Sequence, residues 1–201
     1  MNKQPLSHPF NIAVWTIANT LHPFGWDVSS EAPSTYEDLV KDVAKRGRFT
    51  VWNGASDETI YADPETNFAF RAWHDWVHWR YNLDFSPANE RAVAYVQAAH
   101  LIRTYGNDWQ TTDFVALILA EVIGQAEYKD HFGEFPHFQV DFVREAAKEF
   151  SALAYSLCNL LDGKSDRAAI RLAKKHAGIK HLAPRGRALQ AVFQAPLKRA
   201  A

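Results

Sequence analysis

Apolar positions along the chain recur mostly at helical spacing, in segments punctuated by Gly, Pro and capping residues. The pattern predicts helices over residues 36–45, 67–81, 86–104, 113–129, 138–161 and 166–176, with a shorter one over 184–195. The starts carry cap signals: a capping box at Ser34-Thr-Tyr-Glu37, Ser86-Pro87, Thr111-Thr112 and Ser165. Gly47, Gly106, Gly133, Gly163 and Gly178 follow the ends. Residues 10–21 fit a short helix or a buried strand, and periodicity does not separate the two. Short apolar-alternating runs at 48–52 and 58–61 flank Asn53-Gly54, a strong turn pair, and predict a small β-hairpin near residues 48–61. The class is mainly α: a helical bundle-like single domain over 1–163 and a basic helical C-terminal tail over 164–201.

Composition agrees with a globular chain: 201 residues, 47% hydrophobic, 22% charged and seven Trp, enough for one sizeable core. The net charge of −1 conceals an asymmetry. Residues 164–201 hold ten Lys/Arg against one acid, Asp166, which leaves 12 Lys/Arg against 22 acids in 1–163. Such a tail either lies on the acidic body as a solvated face, or meets a nucleic acid or an acidic partner. Along 166–176, Arg167, Arg171, Lys174 and Lys175 fall on one side. A single cysteine, Cys158, allows no internal disulfide and fits a reducing compartment. No leader is visible, and the longest apolar run, 114–120, is too short for a membrane span. The expected location is cytoplasmic.

The candidate chemistry lies in the most aromatic of these helices. His74 and His78 are four residues apart, so both imidazoles leave one face of the helix. Trp73, Trp76 and Trp79 wrap it, and Asp75 sits beside the pair. Glu121 lies within the apolar run 115–123, where a carboxylate is costly unless paired, protonated or metal-bound. Gln125 follows one turn later, and Gly124 between them costs about 1 kcal/mol against Ala, which suggests a close approach. On the intervening helix Glu90, Gln97 and His100 share a face that should pack.

Two imidazoles and two carboxylates in a helical core suit a divalent transition metal: zinc, iron or manganese. His74, His78, Glu90 and Glu121 are the candidate ligands, with Asp75 and Gln125 orienting water or an imidazole. If the chain is an enzyme, the least demanding chemistry is hydrolysis by a metal-activated water, with Asp75 or Glu121 taking its proton and Gln125 assisting. Two His and one carboxylate also suit a non-haem iron oxidoreductase. Competing readings are a Glu121 ion pair with Arg71, Arg80 or Arg103, and a satisfied core histidine at His100. A further one is a non-catalytic protein whose His/Glu cluster is a buried polar network or a structural metal. Tyr128, His131 and His137 are candidates for a pocket mouth.

The segments Phe70-Arg-Ala-Trp-His-Asp-Trp-Val-His78, Glu90-Arg-Ala92 and Glu121-Val-Ile-Gly-Gln125 resemble a conserved domain of phage and prophage proteins. That family commonly shows F-R-A-x-H-D-x-x-x-H, then E-x-A, then E-x-x-G-Q. The resemblance covers about residues 67–140 and departs at Val77, where the family usually has Gly, and at Asn89, where an acid is common. It implies a phage-type protein with a metal site and no particular activity, located in the host-cell cytoplasm or in a virion. A weaker likeness is to HD-type phosphohydrolases, with His74-Asp75 as the paired residues. The nearest earlier histidine for such a site is His22.

Overall fold

A computed structural model describes residues 4–179. The order is α1 (His8–Leu21), β1 (Asp27–Ser29), α2 (Tyr36–Arg46), β2 (Thr50–Trp52), α3 (Pro64–Tyr81), α4 (Pro87–Tyr105) and α5 (Trp109–Leu119). A π-helical turn (Ala120–Gly124), α6 (Gln125–Phe132), α7 (Gln139–Leu161) and α8 (Asp166–Lys175) follow. The protein is mainly α, as the periodicity predicts. The segment 10–21, open between helix and strand in the sequence, is helical. The short helix expected at 184–195 lies outside the described residues.

α4 is the centre of the assembly. Every residue from Arg91 to Ile102 is buried, and α1, α3, α5, α7 and α8 pack around it. A helix covered on all sides has no polar stripe, which is why its apolar pattern is weak in the sequence. Trp73, Tyr61, Tyr95, Phe10, Phe142 and Phe150 are the largest fully buried side chains of the core. A smaller cluster of Leu39, Val43 and Phe49 sits beneath α2.

The expected hairpin at 48–61 does not form. β2 pairs instead with β1, in parallel, with Val28 opposite Val51. The segment 58–61 is recruited by the core: Ile60 and Tyr61 are buried. Its carbonyls accept from elsewhere, Ile60 from the Leu6 amide at 2.8 Å and Tyr61 from Asn11 Nδ2 at 2.8 Å. With those groups taken by the N-terminal segment, β2 pairs with the strand that residues 27–29 supply. Gly54 still serves at close quarters, because a Cβ there would lie 2.2 Å from the Trp52 ring.

Caps also shift slightly from expectation. Thr35, rather than Ser34, caps α2 by accepting from the Asp38 amide at 3.2 Å. Asp63 caps α3, accepting from the Thr66 amide, with Pro64 in its first turn. Asp108 caps α5 ahead of Thr111-Thr112.

The start of the basic tail is part of the core. Ala169 and Ala173 of α8 are buried against α4. Asp166 accepts from Tyr81 Oη at 2.5 Å, from His100 Nε2 at 3.2 Å and from Arg103. The indole of Trp73 can only donate, so its 3.0 Å bond to His100 Nδ1 leaves the His100 proton on Nε2, facing Asp166. His100 is therefore a satisfied core histidine that ties α3, α4 and α8 together.

Candidate metal centre

His74 and His78 leave α3 one turn apart, and the first turn of α4 brings Glu90 against both. His74 Nε2 lies 3.0 Å from His78 Nε2 and 3.3 Å from Glu90 Oε2; His78 Nε2 lies 3.5 Å from Glu90 Oε1. These three residues form the metal-competent cluster among the described residues. Two ligands bonded to one ion at about 2.1 Å stand about 3.0–3.5 Å apart in octahedral or tetrahedral geometry, so the observed separations fit a single ion.

The local fold also sets the tautomer that a ligand needs. α3 ends at Asn82 in the left-handed conformation (φ 52°), and the Leu83 amide returns to the His78 carbonyl at 3.0 Å. This is a Schellman closure with Asn in the glycine position. It places the Leu83 carbonyl 2.8 Å from His78 Nδ1. A carbonyl only accepts, so Nδ1 carries the proton and Nε2 presents its lone pair to the cluster. The Phe85 ring packs edge-on against His78 at 4.7 Å and excludes water from that side. The other imidazole is held differently. His74 Nδ1 is buried without a hydrogen-bond partner. The Gln97 amide acts on this ring from α4. Gln97 is fully buried, and neither of its polar atoms is partnered.

Charge is balanced within the cluster. Burial works against the His74 imidazolium, but Glu90, with Asp75 and Gln97, outweighs it and raises the His74 pKa. Burial likewise disfavours ionised Glu90, yet the two imidazoles hold it well below the usual carboxylate range. Asp75 is not a member of the three-residue cluster. Burial raises its pKa while the fields of His74 and His78 oppose the rise.

A cavity of about 670 Å³ opens beside the cluster, and His74, Glu90, Arg71, Glu121 and Gln125 all line it. Glu121 stands outside the three-ligand cluster and accepts from Gln125 Nε2 at 2.8 Å. Burial pushes its pKa up to about 7, against the opposing influence of Gln125, Arg71 and His74. The residue sits in the π-helical turn, a wide turn that inserts one residue into the helical register and re-aims the side chains after it. The sequence pattern does not disclose this turn. The ion pairs considered for Glu121 are not formed among the described residues. Arg71 instead donates through Nη1 to the carbonyls of Trp52 and Gly54, and Arg103 is bound to Asp166. His22 is also apart from the cluster, its Nε2 2.9 Å from the Ala72 carbonyl. Of the residues proposed for a pocket mouth, neither Tyr128, His131 nor His137 lines this cavity; Lys129, Asp130 and Phe135 do.

No protein-family model matches the chain, and no curated protein or solved structure matches it either. No helix among the described residues is long and apolar enough to cross a membrane.

Proposed function

We propose that this is a phage-type, metal-dependent hydrolase whose ion is held by His74, His78 and Glu90. The observation that carries the reading is the convergence of three ligand atoms within 4.8 Å of one another at the edge of an open cavity. A structural ion is normally closed by four protein ligands, whereas three ligands, two of which (His74 and Glu90) line a cavity, leave room for water and substrate. Zinc, iron or manganese suits the donor set, and when bound it supplies a water acidic enough to react near neutral pH. The chain's own residues supply the rest. The Leu83 carbonyl holds His78 in the ligating tautomer. Glu121, with a pKa near 7, accepts the proton of the attacking water and returns it to the leaving group. Gln125 orients the Glu121 carboxylate through its 2.8 Å bond. A redox role for iron in the same donor set is the variant that metal identity decides.

The test is elemental analysis and metal titration of the purified chain, followed by hydrolysis of p-nitrophenyl esters and phosphates. We expect about one ion per chain, ion-dependent turnover, and loss of the ion in His78→Ala with the helical circular dichroism retained. A folded chain that takes up no zinc, iron or manganese ends the proposal, as does a loaded chain with no hydrolytic turnover.

The proposal has a second, separable part. Arg167, Arg171, Lys174 and Lys175 of α8 are exposed while Ala169 and Ala173 are buried, a basic face suited to nucleic acid or an acidic partner. Because α8 is packed into the core, charge reversal tests this face better than truncation. Arg171→Glu with Lys174→Glu should weaken duplex DNA binding and reduce its salt slope by roughly two. Wild-type protein that shows no salt-dependent DNA binding removes nucleic acid from the proposal.

A further inference from the structure

Arg71 is one of two cations that line the cavity, and the structure leaves half of its guanidinium unused. It lies three residues before His74, so the two side chains are neighbours on α3. Nη1 donates to the carbonyls of Trp52 and Gly54, the latter at 2.8 Å. The guanidinium carbon sits 5.2 Å from the centre of the Trp52 ring. These contacts fix the fork in one orientation. Nε and Nη2 have no partner among the described residues, and they are not among the buried unpartnered atoms, so they open onto accessible space. Arg71 makes no ion pair with a described carboxylate. Burial disfavours its charged form, though Asp75 and Glu121 partly offset this. A rigid, partly desolvated cation with a free two-donor edge, beside three metal-competent ligands, is placed to receive an anion.

We propose that Arg71 and the ion site together form an oxyanion subsite, and that the substrate is a phosphate monoester. A phosphoryl group has three non-bridging oxygens, enough to occupy the free edge of Arg71 with two and face the ion with one. A carboxylate has only two oxygens, so filling the free edge with both leaves none to face the ion alone. The aromatic lining, Trp52, Phe70, Phe85 and Phe135, provides apolar surface for the body of the ester, and the cavity volume is that of a small-molecule site. Lys129 at the same wall adds a second positive charge, its Nζ 4.6 Å from the Phe135 ring centre.

This inference rests on the metal reading, and a binding experiment separates the two. Inorganic phosphate and acetate are titrated into the ion-loaded chain by calorimetry, and the Arg71 Nε–H resonance of the wild type is followed by ¹⁵N-edited NMR. We expect phosphate to bind more tightly than acetate and to shift the Arg71 resonance. Arg71→Gln should weaken phosphate binding by roughly 10–100-fold while metal affinity stays unchanged. If Arg71 only straps the 52–54 turn to α3, the variant loses stability and phosphate affinity does not move. Phosphate binding that leaves the Arg71 resonance in place overturns the proposal, a result that does not require the variant to fold. Acetate binding as tightly as phosphate overturns the phosphoryl assignment. A chain that loads the ion but binds no phosphate overturns this inference alone. A chain that loads no ion overturns the metal reading and this inference with it.

Discussion

Glu121→Gln should make the metal-free protein more stable at pH 8 and leave it nearly unchanged at pH 4. The sign follows from the direction of the shift. Glu121 ionises near its ordinary value of 4.5 in the unfolded chain and near 7 in the folded one. Between those values the folded state holds a proton that the unfolded state has lost, so stability falls as pH rises. The full span corresponds to on the order of 3 kcal/mol, reached above pH 7. Gln keeps the shape of the acid and has no such loss. Below pH 4.5 both side chains are neutral and the difference should close. Urea unfolding of both proteins in chelator, at pH 4, 6 and 8, measures the gap directly. A gap that stays constant across these pH values contradicts the assignment of a shifted Glu121. The same substitution should remove hydrolysis by roughly 10²–10⁴-fold, since the proton acceptor is gone. Stability gained where activity is lost is the usual signature of a group kept for chemistry.

The neighbouring carboxylate behaves oppositely. Glu90 is held well below its ordinary value by His74 and His78, so its contribution is complete above pH 4.5 and is lost only as pH falls further. His74, raised above 6.5, contributes fully below that value and loses its contribution as pH rises through the folded pKa. In chelator the His74–Glu90 pair therefore supports the fold most between about pH 4.5 and 6.5. A bound ion would displace the His74 proton, and it would bind more tightly as pH rises.

How much of this was legible beforehand depends on whether a feature is local. The pairing of His74 with His78 is a property of one helix turn, and the sequence spacing is enough to see it. Glu90 joins them because α4 leaves the Asn82–Leu83 reversal at the right place, and only its position on a packing face hinted at that. The partner of β2 could not be read at all. Asn53-Gly54 pointed to residues 58–61, but their backbone groups are claimed by Leu6 and Asn11, about fifty residues earlier in the chain. The π turn is also silent in the sequence: Glu121 and Gly124 are unusual in a buried helix, but neither marks a change from α to π register. That turn belongs to Glu121, expected as a fourth ligand and found instead at another part of the cavity wall. Arg71 and Gln97 were visible as residues, but an unfilled hydrogen bond can be recognised only once every neighbour is placed.

Gln97→Leu should weaken metal binding by roughly 10–100-fold without destabilising the metal-free protein. For His74 to ligate through Nε2, its proton must sit on Nδ1, which is buried and has no partner. Gln97 is the fully buried amide that acts on this ring. Its Oε1 is suited to accept the Nδ1 proton and fix the ring in the ligating tautomer. The amide bears on the His74 ring, yet neither of its polar atoms completes a hydrogen bond of good geometry, and a buried amide left unsatisfied costs about 1–3 kcal/mol. An amide kept there at such a cost serves something other than apo stability. Leu, of similar volume, removes the acceptor and the cost together, so the apo protein should hold or gain stability while affinity for zinc falls. Gln97→Glu keeps an acceptor at the same position and should restore most of the affinity. Competition titration against a zinc chelator, paired with urea unfolding in chelator, separates the two roles. If Gln97→Leu destabilises the apo chain and leaves zinc affinity intact, Gln97 is a packing residue and His74 is oriented by Glu90 alone.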